Sequence, residues 1–209
     1  DPVKFAQYYR QPGGLYEFQA QYWEKYGIKH LAMPITPFGE IFFSKPVTKI
    51  EDFKGKLIRV PNTLVPLLTT MGATQNFLQL TDLYTGLQRG TGDGGAITLG
   101  GALDLKLNEV APNMPKLNFY SGHISYIMNL EFLNSLPTDL QKIIMDSFAE
   151  AELKWNRDMA MADYEKDLKR AEAAGVKVWT PSKDEMLKFH KAADAWFTSE
   201  LKNKFPSEW

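Results

Sequence analysis

The sequence predicts an α/β fold. Two observations carry that class: short β-rich runs alternate with helical patterns along the chain, and Gly, Pro and capping residues punctuate the alternation. A third bears on architecture. One helical pattern covers residues 137–174, and at 1.5 Å per residue it would extend on the order of 55 Å, longer than a small domain is wide. Such a helix must bend or lie across two lobes.

The elements follow in order. Residues 14–26 form an amphipathic helix, with Leu15, Phe18, Tyr22 and Tyr26 three or four apart and Gly27 in the stop position. Residues 28–33 and 40–44 read as strands, bounded by Pro34, Pro37 and Pro46. Thr48-Lys49-Ile50-Glu51 has the spelling of a capping box and opens one or two helical turns that stop at Gly55. Residues 56–60 make a strand halted by Pro61, and 63–71 a helix. A short strand is expected at 75–80, then a helix from Thr81 to Gln88.

Residues 90–95 are glycine-dense and read as a flexible turn between lobes. A helix at 99–107 and strands at 117–120 and 123–129 follow. Pro137 and Asp139 suit the first turn of the long helix, and Gly175 its end. Residues 176–180 make the last strand. Ser182-Lys183-Asp184-Glu185 is a second capping box, opening a helix to about Leu201.

Composition narrows the function. The 209 residues include 24 Lys+Arg and 25 Asp+Glu, a formal net charge of −1, so no basic field awaits nucleic acid. The absence of Cys removes disulfides, thiolate metal sites and a thiol nucleophile. No apolar run reaches the ~18 residues that a bilayer span needs. Asp1-Pro2-Val3-Lys4-Phe5 is not a signal peptide as it stands, which leaves a cytosolic chain or a mature or truncated piece.

No nucleophile elbow, Walker A loop, EF-hand loop or zincin helix occurs. Gly90-x-Gly92-x-x-Gly95 spells a dinucleotide fingerprint, but a helix precedes it where the mechanism needs a strand. His30 and His190 read as structural and solvated, whereas His123, beside Ser121-Gly122, is a candidate for a cleft. Arg59 ends the otherwise apolar run Leu57-Ile58-Arg59-Val60-Pro61. At the carboxyl end of a strand a guanidinium can hold a carboxylate through two parallel bonds, or simply be an edge residue wetted by solvent.

Several segments together resemble one family. Lys54-Gly55-Lys56-Leu57-Ile58-Arg59-Val60-Pro61, Met71-Gly72-Ala73, Leu83-Tyr84-Thr85-Gly86-Leu87-Gln88-Arg89-Gly90, Asp93-Gly94, Asn108-Glu109-Val110 and Ser135-Leu136-Pro137-x-x-Leu140-Gln141 look, in that order, like the signature of the solute-binding proteins of TRAP transporters, the DctP-type family. The resemblance implies a periplasmic-binding-protein type II-like fold, with two α/β lobes bridged by a long helix and closing on a small organic acid. It implies residues 1–36 as the remainder of lobe I, 37–130 as hinge crossings and lobe II, 131–175 as the lobe-spanning helix and 176–209 as the C-terminal strand and helix. On this reading about the first third of the family's length is missing and the first lobe is incomplete. The hinges would lie near residues 34–40 and 90–98.

The resemblance also assigns a site and partners. Arg59 falls on the family's carboxylate clamp, followed by Pro61 and Asn62. Phe38 and Glu40 fall where many members place a second polar or basic contact. Leu80 lies at a pocket wall, Ile97 and Thr98 where many members carry polar or aromatic groups, and Tyr120 and His123 on the next cleft-facing stretch. One cation among apolar walls suits one carboxylate on a modest apolar body, with Glu40 free for an amine or hydroxyl or turned to solvent. The family is not enzymatic, and no cofactor and no metal-ligating residue is assigned in this chain. It hands its ligand to a permease of a small and a large membrane subunit, in the periplasm after signal-peptide removal. Three rival readings stand beside it: an enzyme acting on a carboxylate, an organic-acid sensing module and a non-binding fragment.

Overall fold

A computed structural model describes residues 8–198 of the chain. The chain divides into two compact units, Asp1–Pro37 with Ser121–Glu165, and Phe38–Tyr120 with Lys166–Trp209.

The second unit is built on a six-stranded mixed sheet. Its strands are β2 (Gly39–Phe43), β3 (Leu57–Arg59), β4 (Thr74–Gln75), β5 (Gly94–Thr98), β6 (Asn113–Pro115) and β8 (Lys177–Trp179), in the order β4-β3-β5-β2-β6-β8. β5 runs parallel to β3 and antiparallel to β2. Short helices pack on the sheet: α2 (Val65–Thr70), α3 (Leu83–Gln88), α4 (Leu99–Asp104), α5 (Leu107–Val110) and α9 (Lys183–Trp196). The core gathers Ile41, Phe43, Phe53, Ile58, Leu68, Phe119 and Phe189. Phe43 meets Phe53 edge-on at 5.2 Å.

The first unit holds α1 (Leu15–Glu24) and a two-stranded antiparallel sheet of β1 (Ile28–Ala32) and β7 (Tyr126–Asn129). It also holds α6 (Leu130–Ser135), α7 (Thr138–Lys154) and a five-residue π turn, Trp155–Met159; α8 (Ala160–Ala173) starts in this unit and ends in the other. Several of its large apolar side chains are poorly covered. Phe18, Tyr22, Tyr26, Tyr126, Ile127 and Phe132 are all exposed by between 44% and 65%.

The structure corrects several expectations. Residues 94–98 are a buried central strand, not part of a flexible turn. Gly94 and Gly95 are there because a Cβ at either would strike a neighbour, 2.7 Å from the Phe42 carbonyl oxygen and from the Leu83 methyls respectively. The expected hinge at 90–98 therefore lies wholly inside the second unit, and the chain passes between units at 37/38, 120/121 and 165/166. Residues 121–130, expected with lobe II, belong with residues 1–37, because β7 pairs with β1.

The expected strand at 75–80 shrinks to Thr74–Gln75, and the expected helix at 99–107 divides into α4 and α5 around Lys106, whose φ is +56°. The expected strand at 117–120 reduces to one bridge between Tyr120 and Gly39, while β6 and α6 arise where no element was expected. The long helix is interrupted by its π turn, where the Trp155 indole donates to the Ile35 carbonyl at 2.6 Å and Asn156 Oδ1 accepts from the Ile35 N–H at 3.0 Å.

The two capping boxes diverge. Ser182 Oγ accepts from the Glu185 N–H at 3.3 Å as expected. The Thr48–Glu51 box does not form: Asp52 takes the Thr48 N–H, and Glu51 pairs with Lys188. The Ile50 N–H is instead satisfied by Glu185, 135 residues away. Likewise α3 starts at Leu83 rather than Thr81, with Asp82 at its N-cap making no side-chain bond there. The end of α9 near Leu201 falls outside the described residues.

Candidate carboxylate site

The register of the second unit's sheet brings the candidate residues to one end. Arg59 closes β3 opposite Gly95 of the parallel neighbour β5. Beyond Gly95, β5 continues through Ile97 and Thr98, which pair with Glu40 and Gly39 at the start of antiparallel β2. The carboxyl ends of β3 and β5 therefore meet the amino end of β2. This is the end at which open α/β sheets present ligand sites.

Arg59 is half-buried. Its Nη1 makes one long contact, 3.4 Å to the Ala96 carbonyl oxygen. No carboxylate among the described residues forms an ion pair with it. The strand end is held rigid by Gln75, whose side-chain oxygen accepts from the Val60 N–H at 3.2 Å while its amide donates to the Val60 carbonyl at 3.0 Å. Nothing in the sequence marks Gln75 for this task, because a lone Gln on a short strand has no motif.

Tyr120 is positioned by β2. Gly39 and Tyr120 exchange two backbone bonds, at 2.8 and 3.3 Å. The Tyr120 ring covers the face of Gly39 so closely that a Cβ there would overlap it. Burial pushes the Tyr120 phenol above its usual value, and the nearby Arg59 charge pulls it partly back. The phenol thus stays a neutral donor and acceptor beside a cation.

Glu40 faces the interior of its unit. It is fully buried, and its two oxygens accept the backbone N–H groups of Leu117 and Asn118 at 3.1 and 2.9 Å. Asn118 adopts φ +50°, a left-handed turn that Asn tolerates, between those bonds and Tyr120. Glu40 is a positioning residue for the 117–120 stretch, and the expectation of an amine or hydroxyl contact is withdrawn.

The other candidates lie as follows. Phe38 is half-buried where the chain enters β2. Pro61 turns the chain after Arg59, accepting from the Leu64 N–H at 2.8 Å, and Asn62 is exposed just beyond. Leu80 begins a 3₁₀ turn and is 38% exposed. Ile97 is buried, and Thr98 caps α4 by accepting from the Gly101 N–H at 3.4 Å. His123 belongs to the other unit, where it is exposed and its backbone bridges Ile35. Among the described residues no cluster of three or more His, Asp or Glu is placed to hold a metal. No helix among them is long and apolar enough to cross a membrane.

Residues 6–203 match the family described as bacterial extracellular solute-binding protein, family 7, DctP. The chain belongs to that family.

The C4-dicarboxylate-binding periplasmic protein DctP of Rhodobacter capsulatus is 27% identical over 157 residues, covering 73% of this chain and 46% of that protein. A solute-binding protein of Sulfitobacter is 27% identical over 109 residues, covering 51% of this chain and 33% of its own length. The chain thus spans less than half the length of these two relatives. Among solved structures, a TRAP periplasmic solute-binding protein from Desulfovibrio desulfuricans with bound sn-glycerol-3-phosphate superposes with a TM-score of 0.84 at 21% identity, over 95% of this chain and 64% of that one. One from Pseudomonas aeruginosa with bound L-malate gives 0.81 at 20% identity, over 95% and 69%. These likenesses establish the DctP-type α/β fold.

Proposed function

We propose that the chain forms part of an extracytoplasmic solute-binding protein that captures a small organic acid and delivers it to a TRAP-type permease with small and large membrane subunits. The carrying observation is Arg59: a half-buried guanidinium at a strand's carboxyl end, paired with no carboxylate among the described residues. A carboxylate can take two of its N–H groups in parallel. Tyr120 offers a neutral hydroxyl beside it, while Phe38, Leu80 and Ile97 supply apolar surface. The protein acts by binding and release rather than turnover, and its compartment is the periplasm.

The acids and the phosphate ester seen in solved relatives support an anionic ligand. Among residues 38–40, 59–62, 80, 97–98 and 120, Arg59 is the sole cation. That composition favours one carboxylate on a modest apolar body over a multiply charged ligand.

Calorimetry of the full-length natural protein against a panel of monocarboxylates, dicarboxylates and their amides tests this. The expected result is binding that requires one carboxylate and is lost in the amide. Binding of amides equal to that of acids would overturn the assignment, and preference for dicarboxylates would overturn the ligand class. Arg59→Ala should weaken the cognate acid by about 2–5 kcal/mol, roughly 30-fold to several thousand-fold, because it removes a desolvated charge partner.

A further inference from the structure

The first unit contains a buried polar cluster that the carboxylate site does not use. It lies where β1 and the chain after it meet the long helix. Glu152, on α7, is 3% exposed. Its Oε2 accepts from Arg10 Nε at 3.1 Å, from Arg10 Nη2 and from the Met33 N–H at 3.2 Å. Arg10 also donates to the Leu31 carbonyl at 3.0 Å, and its guanidinium lies 4.1 Å from the centre of the Tyr16 ring. One helical turn beyond Glu152 comes Asn156, 1% exposed and bonded through Oδ1 to the Ile35 N–H. His30 is fully buried, with Nδ1 facing the Tyr9 hydroxyl at 3.4 Å and its ring stacked on Tyr16 at 5.6 Å.

Three polar atoms in this cluster are buried without a protein partner among the described residues: Glu152 Oε1, Asn156 Nδ2 and His30 Nε2. Each such atom destabilises a fold, and a charged one does so more strongly. Three together weigh heavily on a fold that is only marginally stable. Their chemistry is complementary to one kind of guest. A carboxylate oxygen only accepts, an amide NH₂ only donates, and an imidazole nitrogen does either according to its tautomer. The charges close by, Arg10 and Glu152, cancel, and burial holds His30 toward its neutral form. The cluster therefore favours an uncharged molecule that both donates and accepts.

We propose that this cluster is an internal hydration site, in which ordered water bridges at least two of Glu152 Oε1, Asn156 Nδ2 and His30 Nε2. Such water is part of the structure, because it satisfies groups that the packed protein leaves unpaired. It joins the turn of α7 before the π turn to the sheet, next to the stretch 33–35 that Glu152, Trp155 and Asn156 already hold.

The test is a crystal structure of the full-length protein at a resolution that shows ordered solvent. The expected result is a water oxygen within hydrogen-bond distance of two or more of the three atoms. A dry cluster, or rearranged side chains that satisfy these atoms with protein groups, would overturn the proposal. So would a water touching only one of them. Oxygen-17 relaxation dispersion gives a readout in solution: the wild type should show long-lived water that is reduced in Asn156→Leu. An unchanged signal in a folded Asn156→Leu protein would count against the site, and if that variant does not fold the wild-type crystal structure alone decides.

Discussion

Glu40 shows how a buried carboxylate can hold the stretch beside a candidate site from within the fold. Its two oxygens each hold a backbone N–H of the stretch that leads to Tyr120. Glu40→Gln keeps the volume but turns a donor toward one of those N–H groups. The variant is expected to lose about 1–3 kcal/mol of stability, read as a lower urea midpoint with an unchanged slope. His30 makes a second prediction at this scale. Burial is the main cause of its lowered pKa, with the Arg10 charge adding to it and Glu152 opposing. Above the ordinary value of 6.5 both folded and unfolded chains carry it neutral, and it contributes no pH dependence. As pH falls below 6.5 the unfolded chain binds a proton that the folded chain resists, so stability drops, by at most ~1.4 kcal/mol per pH unit from this group. Urea titrations at pH 7, 6 and 5 should show that fall, and NMR should find the His30 ring taking up its proton at a lower pH than a histidine of the unfolded chain. A ring protonated at the unfolded-chain pKa would refute it.

Among elements, β5 decides the most. It joins the parallel strands β3 and β4 to the antiparallel strand β2, and it aligns Arg59 with Ile97, Thr98 and Gly39. Its glycines hid it, since a run such as Gly90-Thr91-Gly92-Asp93-Gly94-Gly95 spells a turn, and only the neighbours Phe42 and Leu83 reveal why two of them sit in a strand. β2 carries a similar constraint at Gly39, whose missing side chain makes room for the Tyr120 ring. Gly39→Ala is expected to displace that ring and lower ligand affinity about tenfold or more without changing the identity of any candidate contact residue, measured by calorimetry alongside a thermal melt. Unaltered affinity in the folded variant would show that the Tyr120 position does not matter to binding.

For the molecule as a whole, the two units are unequally packed. The second encloses a contiguous aromatic and aliphatic core, whereas the first rests on a two-stranded sheet and exposes Phe18, Tyr22, Tyr26, Ile127 and Phe132. Two strands alone are marginally stable, and large apolar side chains exposed in this number mark a contact or an aggregation hazard. Residues 1–209 expressed alone should bind a hydrophobic reporter dye strongly and self-associate with rising concentration, by light scattering. A dye-silent monomer would mean that these side chains are covered in solution.

Much of this was legible in the chain itself. Periodicity and stop signals located α1, β1, β2, β3, the long helix and α9, because each is specified locally by spacing and by a cap such as Ser182. Ordered motifs from Lys54 to Gln141 revealed the family, and the strand-end pattern around Arg59 singled out the cation. Packing alone decided the rest: that residues 94–98 are a central strand, that residues 121–130 fold with residues 1–37, that Glu185 caps Ile50, and that Glu40 is structural. The physical reason is range. Helix periodicity and caps act over a few residues, whereas strand pairing, burial of a carboxylate and the room left by a glycine depend on partners tens of residues away, which no local pattern records.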